Sequence, residues 1–554
     1  MPSSPEPQRL SRIRASALWA ACGDALGFIT ELADSRAMAR RGVSMPLSDP
    51  VAWSRQVGGR SGPTVELPAG TISDDTQLRL ATCRSIRGDG VFDAETFSKV
   101  ELTVWPAYAL GAGRGSRQAA ANLRRRDASW GSNFFESKRS VYLDGGGNGA
   151  AMRVQPHVWA AGEGSDWRTD VIVNAVSTHG HMRGILGALF HATCLDHALA
   201  RGGPPGPEAW REAASSLRDA TALIRSHDQL EHLWLSLWER QSDVPLEQAV
   251  ETVVAEVLAD LEALAGIGAG AGGFEDAIEA LQAQRPEQRG SGTKTSILAA
   301  VAAWLFKGEP AAAIRACANR LGIDTDSIGT MAGAIVGATV DEEPEMPLLE
   351  RPYIVREAER LWAIGEGRKV PNFPYPSIMT WSPPSGQVDC IGDTGEGLAL
   401  AGLGPVQVDE ELAAGSGKAA AEWVWADLWF GQRLLVKRRP HPKPLSESQI
   451  VQPDDRYTTA SLLNAPPRPI RVSRIRDGAP TRLTLDDEAP KPRSEAPTLH
   501  QVTDDVIASG FDPEAVGKAL LKLAQRDDGI EAASNYASIL AKAVLSRRDR
   551  ERPQ

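Results

Sequence analysis

The sequence predicts an all-α fold over the first two thirds of the chain. Three observations point that way: Ala- and Leu-rich segments up to about Gly367 repeat apolar residues at helical spacing, the joints between them are Gly-rich or polar, and the period-2 alternation of a half-buried sheet is scarce. At 554 residues, 42% hydrophobic and 24% charged, the chain has an ordinary globular composition and a length that calls for more than one domain.

The 60 Lys+Arg against 71 Asp+Glu leave a formal charge of −11, so nothing in the overall balance attracts nucleic acid or anionic lipid, and any anionic ligand has to be held locally. Five scattered cysteines without a CxxC argue against a disulfide framework and a structural zinc site, and suit a reducing cytoplasm. The N-terminus is polar and shows no secretory signal, and the apolar stretches at 296–306 and 327–340 are too short to span a bilayer. No membrane partner is expected.

In chain order, Arg12 to Ala25 sets Ile13, Ala17, Leu18 and Ala21 on one helical face and runs into Gly23-Asp24-Ala25-Leu26-Gly27, with Glu31 beyond. Ser73-Asp74-Asp75-Thr76 then opens a helix. Taken alone it is most simply an N-cap with two carboxylates complementing the dipole. The sharper reading is that adjacent oxygen side chains at a helix start hold a hard divalent cation.

Asp324-Thr325-Asp326-Ser327 repeats that arrangement far along the chain, before a helix of small residues from Ile328 to about Ala338. Two such motifs would set four carboxylates against two dications, and donors that are all oxygen favour Mg²⁺ or Mn²⁺ over Zn²⁺. Without cations, converging carboxylates repel and some protonate.

Between these motifs, Gly145-Gly146-Gly147-Asn148-Gly149-Ala150-Ala151-Met152-Arg153 offers a strip of backbone N–H groups to a diphosphate, although Gly-rich loops are common. It lacks the order of a dinucleotide-binding loop, and Arg289–Ser296 lacks the spacing of a P-loop. Thr178-His179 is a weaker signal. Gln248 to Ala265 reads as a core helix, and the Gly111–Arg117 loop with Arg124-Arg125-Arg126 frames a cleft or forms an exposed basic face.

Residues 368–439 read as an irregular, partly β appendage. From 440 to 498 the chain holds eleven of its 37 prolines and many charges, the composition of a linker without a core of its own. The basic runs Lys437-Arg438-Arg439 and Arg468–Arg476 lack interleaved aromatics, so solvated chain is expected there rather than a nucleic-acid surface. Residues 499–550 regain helical pattern as a small bundle, with Asp512 as N-cap and Pro513 at the first helical position. A terminal bundle of this kind reads as an interaction module with a protein partner.

In order, GDALG with Glu31, SDDT at Ser73–Thr76, GNGAAMR at Gly147–Arg153, TH at Thr178–His179 and DTDS at Asp324–Ser327 resemble the ADP-ribosylglycohydrolase family, which includes dinitrogenase-reductase-activating glycohydrolases, over about residues 10–365. The resemblance implies a compact orthogonal helical domain over 10–367 with two Mg²⁺ or Mn²⁺ ions, hydrolysing a glycosidic bond at C1″ of the distal ribose. It implies Ser73, Asp74, Asp75, Asp324, Asp326 and Ser327 as metal ligands, and Glu31, Asp75 and Asp324 as catalytic. It further implies that Gly145, Gly146, Gly147, Asn148, Gly149, Ala150 and His179 bind substrate. Ser73 stands where the family usually has Thr, an equivalent hydroxyl, and Ser291-Gly292-Thr293 lacks the aromatic that often follows Ser-Gly. The substrate implied is an ADP-ribosylated protein or another ADP-ribosyl conjugate. A different class, an ADP-ribose-binding sensor or immunity partner working through its C-terminal module, would have less need of both acidic motifs.

Overall fold

The computed structural model describes residues 8–59, 62–138, 140–162, 165–268, 270–409, 421–463, 465–467 and 499–526, with isolated positions from 532 to 544. The chain divides into two compact units, one of 1–225 with 237–467 and one of 226–236 with 468–554. Among the described residues no helix is long and apolar enough to cross a membrane.

The first unit is built on helices α1 (Gln8–Gly27), α2 (Ser35–Arg41), α3 (Asp74–Ser85), α4 (Arg114–Leu123), α5 (Met182–Arg201), α6 (Gly292–Leu305), α7 (Pro310–Ala318), α8 (Thr325–Gly337) and α9 (Arg351–Gly365), with further helices between them, Leu246–Ala263 among them. At its centre α1 and α8 cross antiparallel at backbone contact. A Cβ on Gly27 would lie 2.4 Å from Thr325 O, on Gly23 2.2 Å from Gly329 O, on Gly333 2.3 Å from Trp19 O and on Gly337 2.9 Å from Ala15 O. Thr325, Gly329, Gly333 and Gly337 at every fourth position of α8, with Gly23 and Gly27 on α1, therefore let the two backbones touch. That register sets the end of α1, and Glu31 beyond it, beside the start of α8. Every residue of α3 and α8 is buried.

A hairpin, β1 (Trp53–Gln56) and β2 (Thr64–Leu67), interrupts the helices with Trp53 opposite Leu67 and Arg55 opposite Val65. The domain is helical as expected, and this hairpin is a small addition within it: Val65 and Leu67 alternate inward while Thr64 and Glu66 face solvent. A strand of four residues is too short for alternation to stand out in sequence.

The appendage is a five-stranded antiparallel meander, β3 (Ile391–Asp393), β4 (Leu398–Leu400), β5 (Gly404–Asp409), β6 (Glu422–Leu428) and β7 (Arg433–Arg438), paired in chain order. It is fused to the helices. Arg84 of α3, fully buried, pairs with Glu101 at 2.6 Å and donates to Gln432 Oε1 at 2.8 Å, while Tyr375 donates to the same Glu101. Tyr457 donates to Glu357 of α9 at 2.6 Å, and Phe373, Trp429, Phe430 and Tyr457 pack ring on ring.

Composition placed the start of a linker at 440, but the described residues between 440 and 467 pack on the rest of the first unit. Leu445 N donates to Asp393 O at 2.9 Å, Gly402 N donates to Gln449 O at 2.8 Å, and Val451, Tyr457 and Leu462 are buried. Its prolines keep regular structure to short pieces such as the helix Asp455–Thr459, yet leave the segment free to lie on an existing surface. The remainder of the proline-rich stretch, 468–498 with Arg468–Arg476, lies outside the described residues.

In the second unit, α10 (Leu499–Ala508) and α11 (Pro513–Ala524) bury Val502, Val506, Ala519 and Leu523 together with Ala532, Tyr536 and Leu540. The turn between them runs through Gly510 to Asp512, whose carboxylate accepts from Ala515 N at 2.9 Å.

Candidate functional site

A cleft of about 1050 Å³ opens at the end of the bundle where α1, α3 and α8 meet, lined among others by Glu31, Asp74, Asp75, Asp324, Asp326 and Ser327. Each acidic group arrives there for a local reason. Ser73 caps α3 by accepting from Asp75 N at 3.2 Å. Asp24, the acidic residue inside the α1 motif, accepts from Ser73 N at 3.0 Å and Thr76 N at 3.0 Å, and so ties the start of α3 to α1. Thr325 does the same for α8, donating to Gly27 O at 2.7 Å.

The two acidic motifs touch. Ser327 Oγ donates to Asp75 Oδ2 at 3.3 Å, and Ser73 Oγ lies 3.4 Å from the same oxygen. Asp75 Oδ1 is buried and has no hydrogen-bond partner among the described residues. Asp74 and Glu31 converge beside Gly111, where a Cβ would lie 2.7 Å from Asp74 Oδ1 and 3.7 Å from Glu31 Oε2. Asn148 donates from Nδ2 to Asp324 Oδ2 at 3.0 Å, linking the Gly-rich loop to the second motif.

Burial first, and then the neighbouring carboxylates, push Asp74, Asp75 and Asp326 well above the usual carboxylate range. Glu31 is raised by burial and by Asp324, against the pull of Arg55, which donates to Glu31 Oε2 through both Nη atoms at 3.2 Å. Arg55 lies 4.3 Å over the Phe28 ring. Several acidic groups crowded on the floor of a cleft, with one buried carboxylate oxygen left without a donor among the described residues, are a donor set that suits hard divalent cations. As the side chains stand, no three His, Cys, Asp or Glu residues among the described ones close round a single point.

The opposite wall is Gly145, Gly146, Gly147, Asn148 and Gly149 with His179. Three N–H groups of this strip are engaged within the protein: Gly145 N donates to Tyr142 O, Gly146 N to Asp144 O and Asn148 N to Gly290 O. The Arg289–Ser296 segment thus pairs with the Gly-rich loop and forms part of the same wall. His179 is driven down to about 3 by burial and by Arg153, so its ring is neutral at neutral pH, with Nδ1 2.7 Å from Thr178 Oγ1. Arg153 donates to Gly149 O at 2.9 Å and to Thr178 Oγ1 at 2.8 Å, holding loop and histidine together.

Of the residues singled out in sequence, Ser73 and Ala150 do not line the cleft. Ser73 sits beneath the wall as the α3 cap, and Ala150 is fully buried behind the loop. Sequence reasoning missed Arg55, because the hairpin that carries it was not recognised, and it missed the tie made by Asp24, although that residue stands inside a motif it had noticed. The five cysteines are all buried and free.

A family model for ADP-ribosylglycohydrolase matches residues 5–365, more than half of the chain. The chain belongs to the ADP-ribosylglycohydrolase family and is a hydrolase of glycosidic bonds. A solved structure described as an ADP-ribosylglycohydrolase-related protein complex is similar at 21% identity, covering 65% of this chain and 99% of its own, with a TM-score of 0.41 that carries no weight beyond the family match. No curated protein sequence matches the chain.

Proposed function

We propose that this protein removes ADP-ribose from a modified target by hydrolysing the N- or O-glycosidic bond at C1″ of the distal ribose, with two Mg²⁺ or Mn²⁺ ions in the acidic cleft. The observation that carries the reading is the meeting of the two acidic motifs at Asp75, where Ser327 donates at 3.3 Å beside a buried oxygen that has no partner among the described residues. Asp74, Asp75, Asp324 and Asp326 would hold the ions with the hydroxyl of Ser327, while Ser73, beneath the wall, would hold the start of α3 in place. Bound there, the ions would supply Lewis acidity and counter-charge toward the ribose oxygens.

The chain's own groups do the rest. Asn148 fixes the carboxylate of Asp324 toward the cleft. Glu31, its charge steadied by Arg55, sits at the acidic floor as a group able to hold or move a proton at the reacting end of the ribose. His179, neutral, orients ribose or diphosphate oxygens by hydrogen bonding from the Gly-rich wall, while Arg114, Arg117 and Lys138 at the mouth face the anionic part of the conjugate. The target is an ADP-ribosylated protein or a related conjugate, and the helical second unit suits a protein partner.

Asp324→Ala tests the assignment. It removes the acceptor of Asn148 from a position at the start of α8, so ADP-ribose release should fall at least about a hundredfold with an unchanged melting temperature. Release at the wild-type rate would sink the role given to Asp324. Tight ADP-ribose binding without release by the wild type would favour a sensor or immunity role instead.

A further inference from the structure

The five-stranded sheet lies outside the family-matched residues 5–365, yet one face of it packs under the hairpin that carries Arg55. On β6, Trp423 and Trp425 stand two residues apart and so share a face, and Leu435 of β7 lies directly opposite Trp425. These three side chains fall in one buried apolar cluster with Trp53, Val57, Val65 and Leu67 of the hairpin and with Phe28 and Ile29 at the end of α1. The contact is close at the hairpin turn: a Cβ on Gly58 would lie 3.2 Å from Cζ2 of Trp423. Arg55 shares the inward face of the hairpin with Trp53 and Val65, and its guanidinium lies over the rings of Phe28 at 4.3 Å and Trp53 at 5.6 Å before reaching Glu31.

We propose that Trp423 and Trp425 are positioning residues: through the hairpin they fix Arg55, and through Arg55 they fix Glu31 at the acidic floor. The consequence for turnover rests on the reaction proposed above. A four-residue strand pair has little stability of its own, so its placement has to come from what it packs on. Arg55 donates to one oxygen of Glu31 with both Nη atoms at 3.2 Å, and small displacements of such a pair matter to a group that must meet the substrate.

The test compares Trp423→Phe, the more disruptive Trp423→Ala, Arg55→Ala and the Trp423→Phe/Arg55→Ala double variant in the full-length protein. Trp423→Phe should lower kcat for ADP-ribose release about tenfold with KM near the wild-type value, and should add almost nothing in the Arg55→Ala background. Amide hydrogen exchange over residues 53–57 and 64–67 should quicken in Trp423→Phe, whether or not the wild type turns substrate over. Losses that multiply in the double variant, or hairpin exchange unchanged by both tryptophan substitutions, would overturn the inference. A wild type that releases no ADP-ribose while the hairpin still loosens would sink the proposed reaction and uphold the positioning.

Discussion

Cutting the chain after Gly367 would keep the whole family-matched region, and the structure indicates that the product should not fold. The cut removes Trp423, Trp425 and Leu435 from the cluster that covers Trp53, Val65 and Leu67, Phe373 and Phe430 from the face of Tyr353 and Arg84, and Tyr457 from beneath Arg360. At about 1.5–3 kcal/mol for each large apolar side chain, uncovering five or six of them costs on the order of 10 kcal/mol. Arg84 also loses Gln432, Glu101 loses Tyr375 and Glu357 loses Tyr457, each worth about 1–3 kcal/mol where a buried group is left unpaired. The total matches or exceeds the roughly 5–15 kcal/mol that hold an ordinary domain together. Residues 1–367 expressed alone should be insoluble or lack a cooperative melt by circular dichroism, whereas 1–467 should melt cooperatively. A soluble, cooperatively folded 1–367 would refute the fused architecture.

Three smaller perturbations probe the parts that build the site. Gly23→Ala, which elsewhere in a helix would gain stability, places a Cβ 2.2 Å from Gly329 O and should instead cost about 1–3 kcal/mol in a urea melt; a gain would mean the α1–α8 seam has slack. Asp24→Ala strips the carboxylate from Ser73 N and Thr76 N and should cost about 2–3 kcal/mol, and calorimetric titration should show weakened Mn²⁺ binding; unchanged metal affinity would separate Asp24 from the cleft. Glu95 is held up to about 7 chiefly by burial, since Lys99 donates its Nζ to three carbonyls instead. Its folded value lies above the unfolded one, so the stability it contributes is complete below about pH 4.5 and is lost as pH rises through 7. Glu95→Gln should therefore raise stability by about 1–2 kcal/mol at pH 8, after allowance for solvent screening, and change nothing near pH 4; equal effects at both pH values would contradict the cause given.

The helical architecture and the acidic half of the site were legible because their signals are local. Hydroxyl and carboxylates at two helix starts can be read without knowing what touches what, and the small residues of α8 announce a close helix crossing. What escaped depends on long-range packing. Arg55 sits on a strand of four residues, too short for alternation to mark it. Its function comes from Phe28 and Glu31, which precede it by more than twenty positions. The stretch from 440 to 467 has the composition of a linker, because proline and charge describe how a segment behaves alone. They do not register the surface that the sheet offers to Val451 and Tyr457. Ser73 reads from the sequence as an N-cap and by resemblance as a metal ligand, and the structure has it capping α3.

The most direct test of the central claim is release of free ADP-ribose from Arg-, Ser-, nucleic-acid- and acetyl-linked conjugates, with Mg²⁺ or Mn²⁺ and again after EDTA. Release from one linkage that stops with EDTA and returns when the metal is restored is the expected result. Release that EDTA leaves untouched, or no release from any linkage at any metal concentration, would contradict it.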